Sequence, residues 1–189
     1  MDRPPRRKPM RLKGWDYRRP GAYFVTICTH RRKCLFGRVV DDAMRLNACG
    51  EIAKTCWQAI PDHYAMARID EYVIMPNHVH GIVFHEIDLA SLVGARHAVP
   101  LHGSPYDETG GFGQPDPDSL STIIRSYKSS VTRYINQYCG TPGERVWQRG
   151  YYDHIVRDAA DLAAVCRYIR DNPLAWELGW EPPGYPFDD

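Results

Sequence analysis

Two runs of β-forming residues separated by a short turn constrain the fold of this chain most strongly. The runs are Arg68–Met75 (RIDEYVIM) and Val79–Phe84 (VHGIVF), and the dipeptide Pro76-Asn77 lies between them. Proline and asparagine between two apolar, β-rich runs are typical of a tight turn. The pattern therefore predicts a β-hairpin, around which the other elements must be arranged.

Further strand and helix patterns lie on both sides of this hairpin. They predict a strand over Ala22–His30, a helix over Leu46–Ile60 ended by Pro61, an amphipathic helix over Leu120–Tyr138, a strand over Tyr151–Arg157, and a helix over Asp158–Asp171 that Asp158 caps and Pro173 closes. The order β-α-β-β-α-β-α predicts an α+β fold. We expect a ferredoxin-like antiparallel sheet (β-α-β-β-α-β) with an added C-terminal helix.

The length of 189 residues suits one domain. We predict a flexible basic arm over residues 1–20, one domain over residues 21–175 and a tail over residues 176–189. Residues 85–118 are rich in Gly, Pro and Asp and have no periodicity, so we expect a long mobile loop there.

The composition excludes several classes of protein. No run of about 18 apolar residues is present, so we expect no membrane span. The basic, Pro-rich N-terminus is unlike a secretory signal. The six cysteines form no CxxC pair, which argues against a zinc ribbon and favours free thiols in a cytoplasmic protein.

The charge is distributed unevenly along the chain. Residues 1–38 contain twelve Lys and Arg against two Asp, although the whole chain has a net charge of only +1. A basic arm on an acidic body indicates a polyanionic partner. A solvated, disordered tail is the alternative interpretation.

Basic and aromatic side chains in two segments are candidates for nucleic-acid contacts. In the arm, aromatic residues lie among Arg and Lys, as suits stacked bases and phosphates. On the helix predicted over Leu120–Tyr138, basic groups and serines lie off the apolar stripe; a solvated face is the alternative. The candidates are Arg6, Arg7, Lys8, Arg11, Trp15, Arg18, Arg19, Arg125, Lys128 and Arg133.

Two histidines begin the second strand of the predicted hairpin. Alternation places His78 and His80 on one face of the strand, roughly 7 Å apart at the backbone. Two imidazoles at that separation can converge on one cation. Two hydrogen-bonded structural histidines are the alternative.

The last predicted helix and the strand before it carry three further candidates. Tyr168 and Asn172 are four residues apart and therefore share one side of the helix. A tyrosine at the edge of an apolar stripe can be a nucleophile or simply a packing residue. His154 on the preceding strand can support an active site or be a structural hydrogen-bonding residue.

Several stretches in a fixed order resemble the REP-associated tyrosine transposases, a branch of the HUH-type single-tyrosine transposases. They are RRPGAYFVTICTHRRKCLFG, EYVIMPNHVHGIV, SYKSSVTRYIN, VWQRGYYDHIVR and YIRDNP, and they span about residues 15–175. The resemblance implies a bacterial, metal-dependent enzyme that cleaves and rejoins single-stranded DNA bearing a hairpin, through a 5′-phosphotyrosine intermediate.

The resemblance also implies roles for individual residues. Tyr168 would be the catalytic tyrosine, and His78, His80 and Asn172 would bind Mg²⁺ or Mn²⁺. Related mobile enzymes typically have Gln at the position of Asn172. The branch implies a monomer, with a homodimer as the alternative.

Three other functions are compatible with parts of the sequence. A non-catalytic nucleic-acid-binding protein of the same fold would explain the basic arm but not the placement of His, His, Tyr and Asn. A phosphoesterase of small cyclic phosphates needs two HxT/S motifs, and only His102-Gly103-Ser104 fits. A replication initiator would need a helicase domain, for which the chain has no room.

Overall fold

The computed structural model describes residues 19–86 and 119–179. The elements there, in chain order, are β1 (Gly21–Cys28), a 3-10 turn (His30–Arg32), β2 (Gly37–Val40), β3 (Ala43–Leu46), α1 (Ala48–Gln58), α2 (Ile60–His63), β4 (Ala67–Met75), β5 (His78–His85), α3 (Leu120–Cys139), β6 (Tyr152–Val156) and α4 (Ala159–Glu177). The predictions for the arm, the long loop and the tail fall largely on residues 1–18, 87–118 and 180–189, which lie outside the described residues.

The main sheet has four antiparallel strands in the order β4-β5-β1-β6. The predicted hairpin is present as β4 and β5, joined at Pro76-Asn77, and β1 lies between β5 and β6. With α1 and α2 between β1 and β4, and α3 between β5 and β6, this is the ferredoxin-like arrangement that the sequence predicted. The fold prediction is therefore confirmed.

The two faces of the sheet pack against different helices. Along β1, Tyr23, Val25 and Ile27 face the larger core cluster, which includes side chains of α1 and α3. Phe24 faces the opposite way, in a cluster with residues of α4. The alternation of β1 thus creates two apolar layers, and α4 covers the face that carries His78 and His80.

The structure also has a second, two-stranded sheet, which the sequence did not predict. Strands β2 and β3 pair through the turn at Asp41 and Asp42, whose φ angles of 51° and 56° are left-handed. Two positive-φ residues are what a tight hairpin turn requires, and Asp tolerates them better than most residues. The backbone N–H of Asp42 donates to Glu177 Oε2 at 2.7 Å, which connects this hairpin to the end of α4.

Helix α4 corrects one prediction. Asp158 caps it as expected, since its side chain accepts a hydrogen bond from the Asp161 N–H at 2.9 Å. Pro173, however, lies inside the helix, which continues to Glu177. Pro173 removes one helical N–H, but Asn172 and Pro173 are both buried, and their packing offsets that loss. The helix therefore extends into the segment predicted as the tail.

Gly81 on β5 leaves room for a large side chain of the core to pack directly on the strand that carries the histidines. A Cβ at this position would lie 2.3 Å from Cζ2 of the fully buried Trp57. We expect Gly81→Ala to lower the free energy of unfolding by about 2–3 kcal/mol through overpacking, measured by urea denaturation. Gly21→Ala is the matched strand control, because its Cβ would meet nothing closer than 3.9 Å. Equal stability of the two variants would contradict the packing of Trp57 on β5.

Within the described ranges, no helix combines the length and apolar character needed to cross a bilayer.

Candidate active site

His78 and His80 lie at the start of β5, next to the C-terminal end of β1. His78 is opposite Cys28 and His80 is opposite Thr26. Both side chains are buried, and their ring centroids are 4.4 Å apart. The two rings therefore approach each other more closely than the backbone spacing of alternate residues requires.

Neighbouring side chains hold the Nδ1 atom of each ring. Nδ1 of His78 lies 2.7 Å from Asn77 Oδ1, and Nδ1 of His80 lies 2.8 Å from Thr26 Oγ1. With Asn77 oriented so that its oxygen accepts, Nδ1 of His78 carries the proton and Nε2 carries a lone pair. Outer contacts of this kind orient histidines that bind metal ions.

Asn172 of α4 meets His78 from the opposite side. Its Oδ1 lies 3.3 Å from Nε2 of His78, and its side chain is buried. With Asn77 in that orientation, the lone pair on Nε2 of His78 faces a lone pair on Oδ1 of Asn172, and both side chains are buried. A cation bound by both atoms would stabilise this arrangement. Adjacent ligands of an octahedral ion with bonds of ~2.1 Å are about 3 Å apart, so the residues present fit a divalent cation.

The protonation states of the histidines suit the same role. Burial and, to a smaller extent, the positive charge of Arg32 lower the pKa of His78 to about 4, against a smaller opposing effect of the hydrogen bond with Asn172. Burial, followed by the neighbouring His78 and by Arg32, lowers the pKa of His80 well below its usual value. Both rings are therefore neutral at pH 7, and neutral imidazole is the form that binds metals.

Tyr168 reaches this site from α4, one turn before Asn172. Its ring is half-buried, 5.2 Å from the ring of His80 and 5.8 Å from that of Phe24 between centroids. Burial raises the pKa of its phenol, and a side-chain hydrogen bond with Asn172 and the charge of Arg32 oppose that rise. The predicted groups Tyr168, His78, His80 and Asn172 thus meet at one place within a single chain.

No family model matches the chain. An uncharacterized protein of Haemophilus influenzae is 37% identical over 173 residues, which cover 90% of each of the two chains. The chain belongs to the family of this Haemophilus protein.

A solved structure adds the fold of the family. It is a REP-associated tyrosine transposase bound to a REP hairpin, and it aligns with a TM-score of 0.55 and 19% identity over 94% of this chain and 81% of that chain. At this identity the likeness establishes the fold. The family member described here therefore has the fold of the transposases that its sequence resembles.

His154 contacts the beginning of the helix that carries Tyr168. Its Nε2 lies 2.9 Å from Oδ2 and 3.1 Å from Oδ1 of Asp161 in the first turn of α4. Although burial raises the pKa of Asp161, the backbone N–H of Arg157 and the contact with His154 lower it below its usual value. The contact connects β6 to α4, and a supporting role of His154 in catalysis stays a prediction.

The DNA-contact candidates are distributed over different parts of the molecule. Arg19 is exposed at the start of the described chain, and Arg125 and Arg133 are exposed on α3. The ammonium of Lys128 donates to the carbonyls of Gln148 and Gly150 at 2.9 and 2.7 Å, so part of its donor capacity is used within the protein. The candidates Arg6, Arg7, Lys8, Arg11, Trp15 and Arg18 lie outside the described residues.

Two basic residues, Arg145 and Arg32, were not singled out from the sequence. Arg145 lines a groove of about 770 Å³ between α3 and residues 143–149, together with Arg133 and Arg149. Arg32, in the 3-10 turn after β1, influences the pKa values of both histidines and of Tyr168. The run His30-Arg31-Arg32-Lys33 is recognisably basic in the sequence. Nothing in it indicated which of the two arginines influences the histidines and Tyr168.

The side chain that joins the histidine pair is an amide, not a carboxylate, thiol or third imidazole. In the part of the chain that the structure describes, no three His, Cys, Asp or Glu side chains are grouped to hold a metal ion. In this family member the third donor would be an amide oxygen, and two imidazoles with one amide form an uncharged ligand set. A bound cation would therefore keep its full charge for an anionic substrate.

Proposed function

We propose that this protein is a metal-dependent endonuclease and transposase that cleaves and rejoins hairpin-bearing, REP-like single-stranded DNA. The observation that carries the proposal is the meeting of a phenol, two neutral imidazoles and an amide oxygen at one buried place. The transposase fold and the sequence motifs support it. A protein that only binds nucleic acid has no need for this combination.

His78, His80 and Asn172 would hold the cation, either Mg²⁺ or Mn²⁺. When bound, such an ion polarises a phosphate oxygen as a Lewis acid. Asn77 and Thr26 fix the orientation of the two rings, and burial keeps them neutral and ready to bind. The ring of Tyr168 packs edge-on against the rings of Phe24 and His80, and these contacts keep the phenol next to the histidine pair.

Strand cleavage and rejoining would each be a single transesterification at phosphorus. Oη of Tyr168 attacks the scissile phosphorus and loses its proton to solvent, while the bond from phosphorus to the 3′ oxygen breaks and that oxygen takes up a proton. The products are a 5′-phosphotyrosine and a free 3′-OH. A second 3′-OH then attacks the phosphotyrosine, which restores a phosphodiester and the phenol. The bond energy is conserved, so no nucleotide cofactor is needed.

A monomer is sufficient for this chemistry. Tyr168 and the three metal-binding candidates belong to one chain, so completing the site does not require a residue from a second copy. We therefore favour a monomeric enzyme whose partner is single-stranded DNA with a hairpin.

The proposal is tested with a pool of single-stranded oligonucleotides that carry a stable hairpin and a randomised tetranucleotide on its 5′ side. With MnCl₂, a 3′-end label should become covalently attached to the protein on a denaturing gel, and a 5′-end label should appear in a shorter fragment ending in 3′-OH. The same oligonucleotides annealed to their complements, or incubated with EDTA, serve as controls. Binding without any covalent product would favour the non-catalytic nucleic-acid-binding protein instead.

A further inference from the structure

The turn that follows β1 has an unusual backbone. Arg31 and Arg32 have φ angles of 57° and 55°, both in the left-handed region. Residues with a side chain rarely adopt this conformation, and Gly or Asn would be expected where the turn alone decided the sequence. Strained backbone of this kind concentrates at functional sites, which makes this turn a place to look for a functional side chain.

Hydrogen bonds attach this turn directly to the residue before His78. The N–H of Thr29 donates to the carbonyl of Asn77 at 2.9 Å, and the Arg32 N–H donates to the carbonyl of Thr29 at 3.1 Å. The hydroxyl of Thr29, a buried residue, lies within hydrogen-bonding distance of the carbonyl oxygens of Asn77 and Lys33. The position of Arg32 is therefore fixed relative to the histidine pair.

The side chain of Arg32 is exposed, yet its charge reaches the site. Its charge lowers the pKa of His78, where only burial has a larger influence. It also lowers the pKa of His80, after burial and His78, and that of Tyr168, after burial and the hydrogen bond with Asn172. Within residues 19–86 and 119–179, no carboxylate forms an ion pair with Arg32, whereas Arg68 pairs with Glu86 and Arg170 with Glu71. Arg32 thus keeps a positive charge beside three groups that are neutral at pH 7.

We propose that Arg32 binds a non-bridging oxygen of the scissile phosphate and stabilises the extra negative charge that develops when Tyr168 attacks. This assignment rests on the proposed function and adds a catalytic residue to it. The guanidinium has a planar set of donors that matches phosphate oxygens, and its charge is permanent. Its turn is connected by backbone hydrogen bonds to the residue before His78, and a donor preorganised near the reacting group gives a large electrostatic effect on a transition state.

The first test measures binding without metal. Fluorescence anisotropy in EDTA would follow the labelled hairpin oligonucleotide while one phosphate at a time is replaced by a neutral methylphosphonate. For the unaltered protein we expect replacement of the cleaved phosphate to weaken binding by about tenfold, the lower end of the cost of losing a hydrogen bond to a charged group. Arg32→Gln should bind the unmodified DNA more weakly by a similar factor and lose nothing further at that phosphate, because the two changes remove one interaction.

Arg31→Gln is the matched control for this measurement. Arg31 has the same left-handed backbone conformation and is likewise exposed, so the same change of residue type alters charge and backbone preference equally. Arg31→Gln should retain the full methylphosphonate penalty. Thermal unfolding of both glutamine variants should agree within a few degrees, which separates a local effect from misfolding.

The second test measures the rate of adduct formation at saturating DNA and MnCl₂. Arg32→Gln should lower this rate by about 10²-fold, the usual effect of removing one donor to a developing oxyanion, and Arg32→Lys should recover part of it. Arg31→Gln should remain within about threefold of the unaltered protein. Covalent adducts from the unaltered protein, combined with an unchanged methylphosphonate penalty in Arg32→Gln, would overturn the role of Arg32 alone. If the unaltered protein forms no adduct, the proposed function fails, and this assignment fails with it.

Discussion

A Tyr168→Phe variant is expected to bind the hairpin oligonucleotide as tightly as the unaltered protein and to form no covalent adduct with it. The substitution removes only the hydroxyl oxygen, which is the attacking atom in the proposed reaction. The ring contacts with Phe24 and His80 can remain, since both involve the ring rather than the hydroxyl. Loss of the hydrogen bond with Asn172 should lower the free energy of unfolding by only about 1 kcal/mol.

The measurement is the rate of appearance of the protein–DNA adduct on a denaturing gel with a 3′-labelled oligonucleotide. Removing a nucleophile should lower this rate by at least ~10³-fold, because binding and metal alone give no covalent product. Tyr152→Phe is the informative control. Tyr152 is paired with Thr26, which is also opposite His80, so its phenol is the neighbouring alternative on the sheet. Adducts from Tyr168→Phe, or their loss in Tyr152→Phe alone, would show that the nucleophile is misassigned.

The second large effect concerns the histidine pair. His78→Ala and His80→Ala should each weaken Mn²⁺ binding by at least ~100-fold, because loss of an outer-shell partner alone already weakens a metal site by 10–100-fold. Isothermal titration of the DNA-free protein with MnCl₂ measures this directly. Each variant should also lack Mn²⁺-dependent cleavage, while DNA binding in EDTA should change little.

His63→Ala provides the control for general effects of histidine removal. His63 is exposed on α2, which contacts β4, outside the histidine pair. The His63→Ala variant should bind Mn²⁺ and cleave DNA as the unaltered protein does. Since His78 and His80 are buried, thermal unfolding must accompany the titrations, and a variant that is folded yet binds Mn²⁺ normally would contradict the proposed metal site.

The parts of the site that the sequence predicted depend on local periodicity. His78 and His80 share a face because alternate residues of a strand do so, and Tyr168 and Asn172 share a side of α4 because they are one helical turn apart. The convergence of these two pairs depends in addition on the order of the strands in the sheet. Once β5 is next to β1 and α4 covers that face, the two pairs are brought together.

The missed features depend on tertiary contacts or on unusual backbone. Strands β2 and β3 have four residues each, too few for a clear alternation, and the turn between them uses Asp rather than the Asn-Gly or Asp-Gly typical of a hairpin. Helix α4 passes through Pro173 because burial of that segment outweighs a lost hydrogen bond, which a local rule cannot anticipate. Arg32 was missed because the hydrogen bonds that connect its turn to Asn77 are tertiary contacts, which local periodicity does not reveal.

In the proposed reaction, the presence of one Tyr168 per chain would limit how many DNA ends one molecule can handle. A lone phenol can be esterified only once, so each protein molecule would retain one strand terminus until a hydroxyl displaces it. Excising a segment requires two breaks. Either two molecules must work in parallel, or one must turn over twice in succession, and the stoichiometry of trapped ends per polypeptide would distinguish these routes.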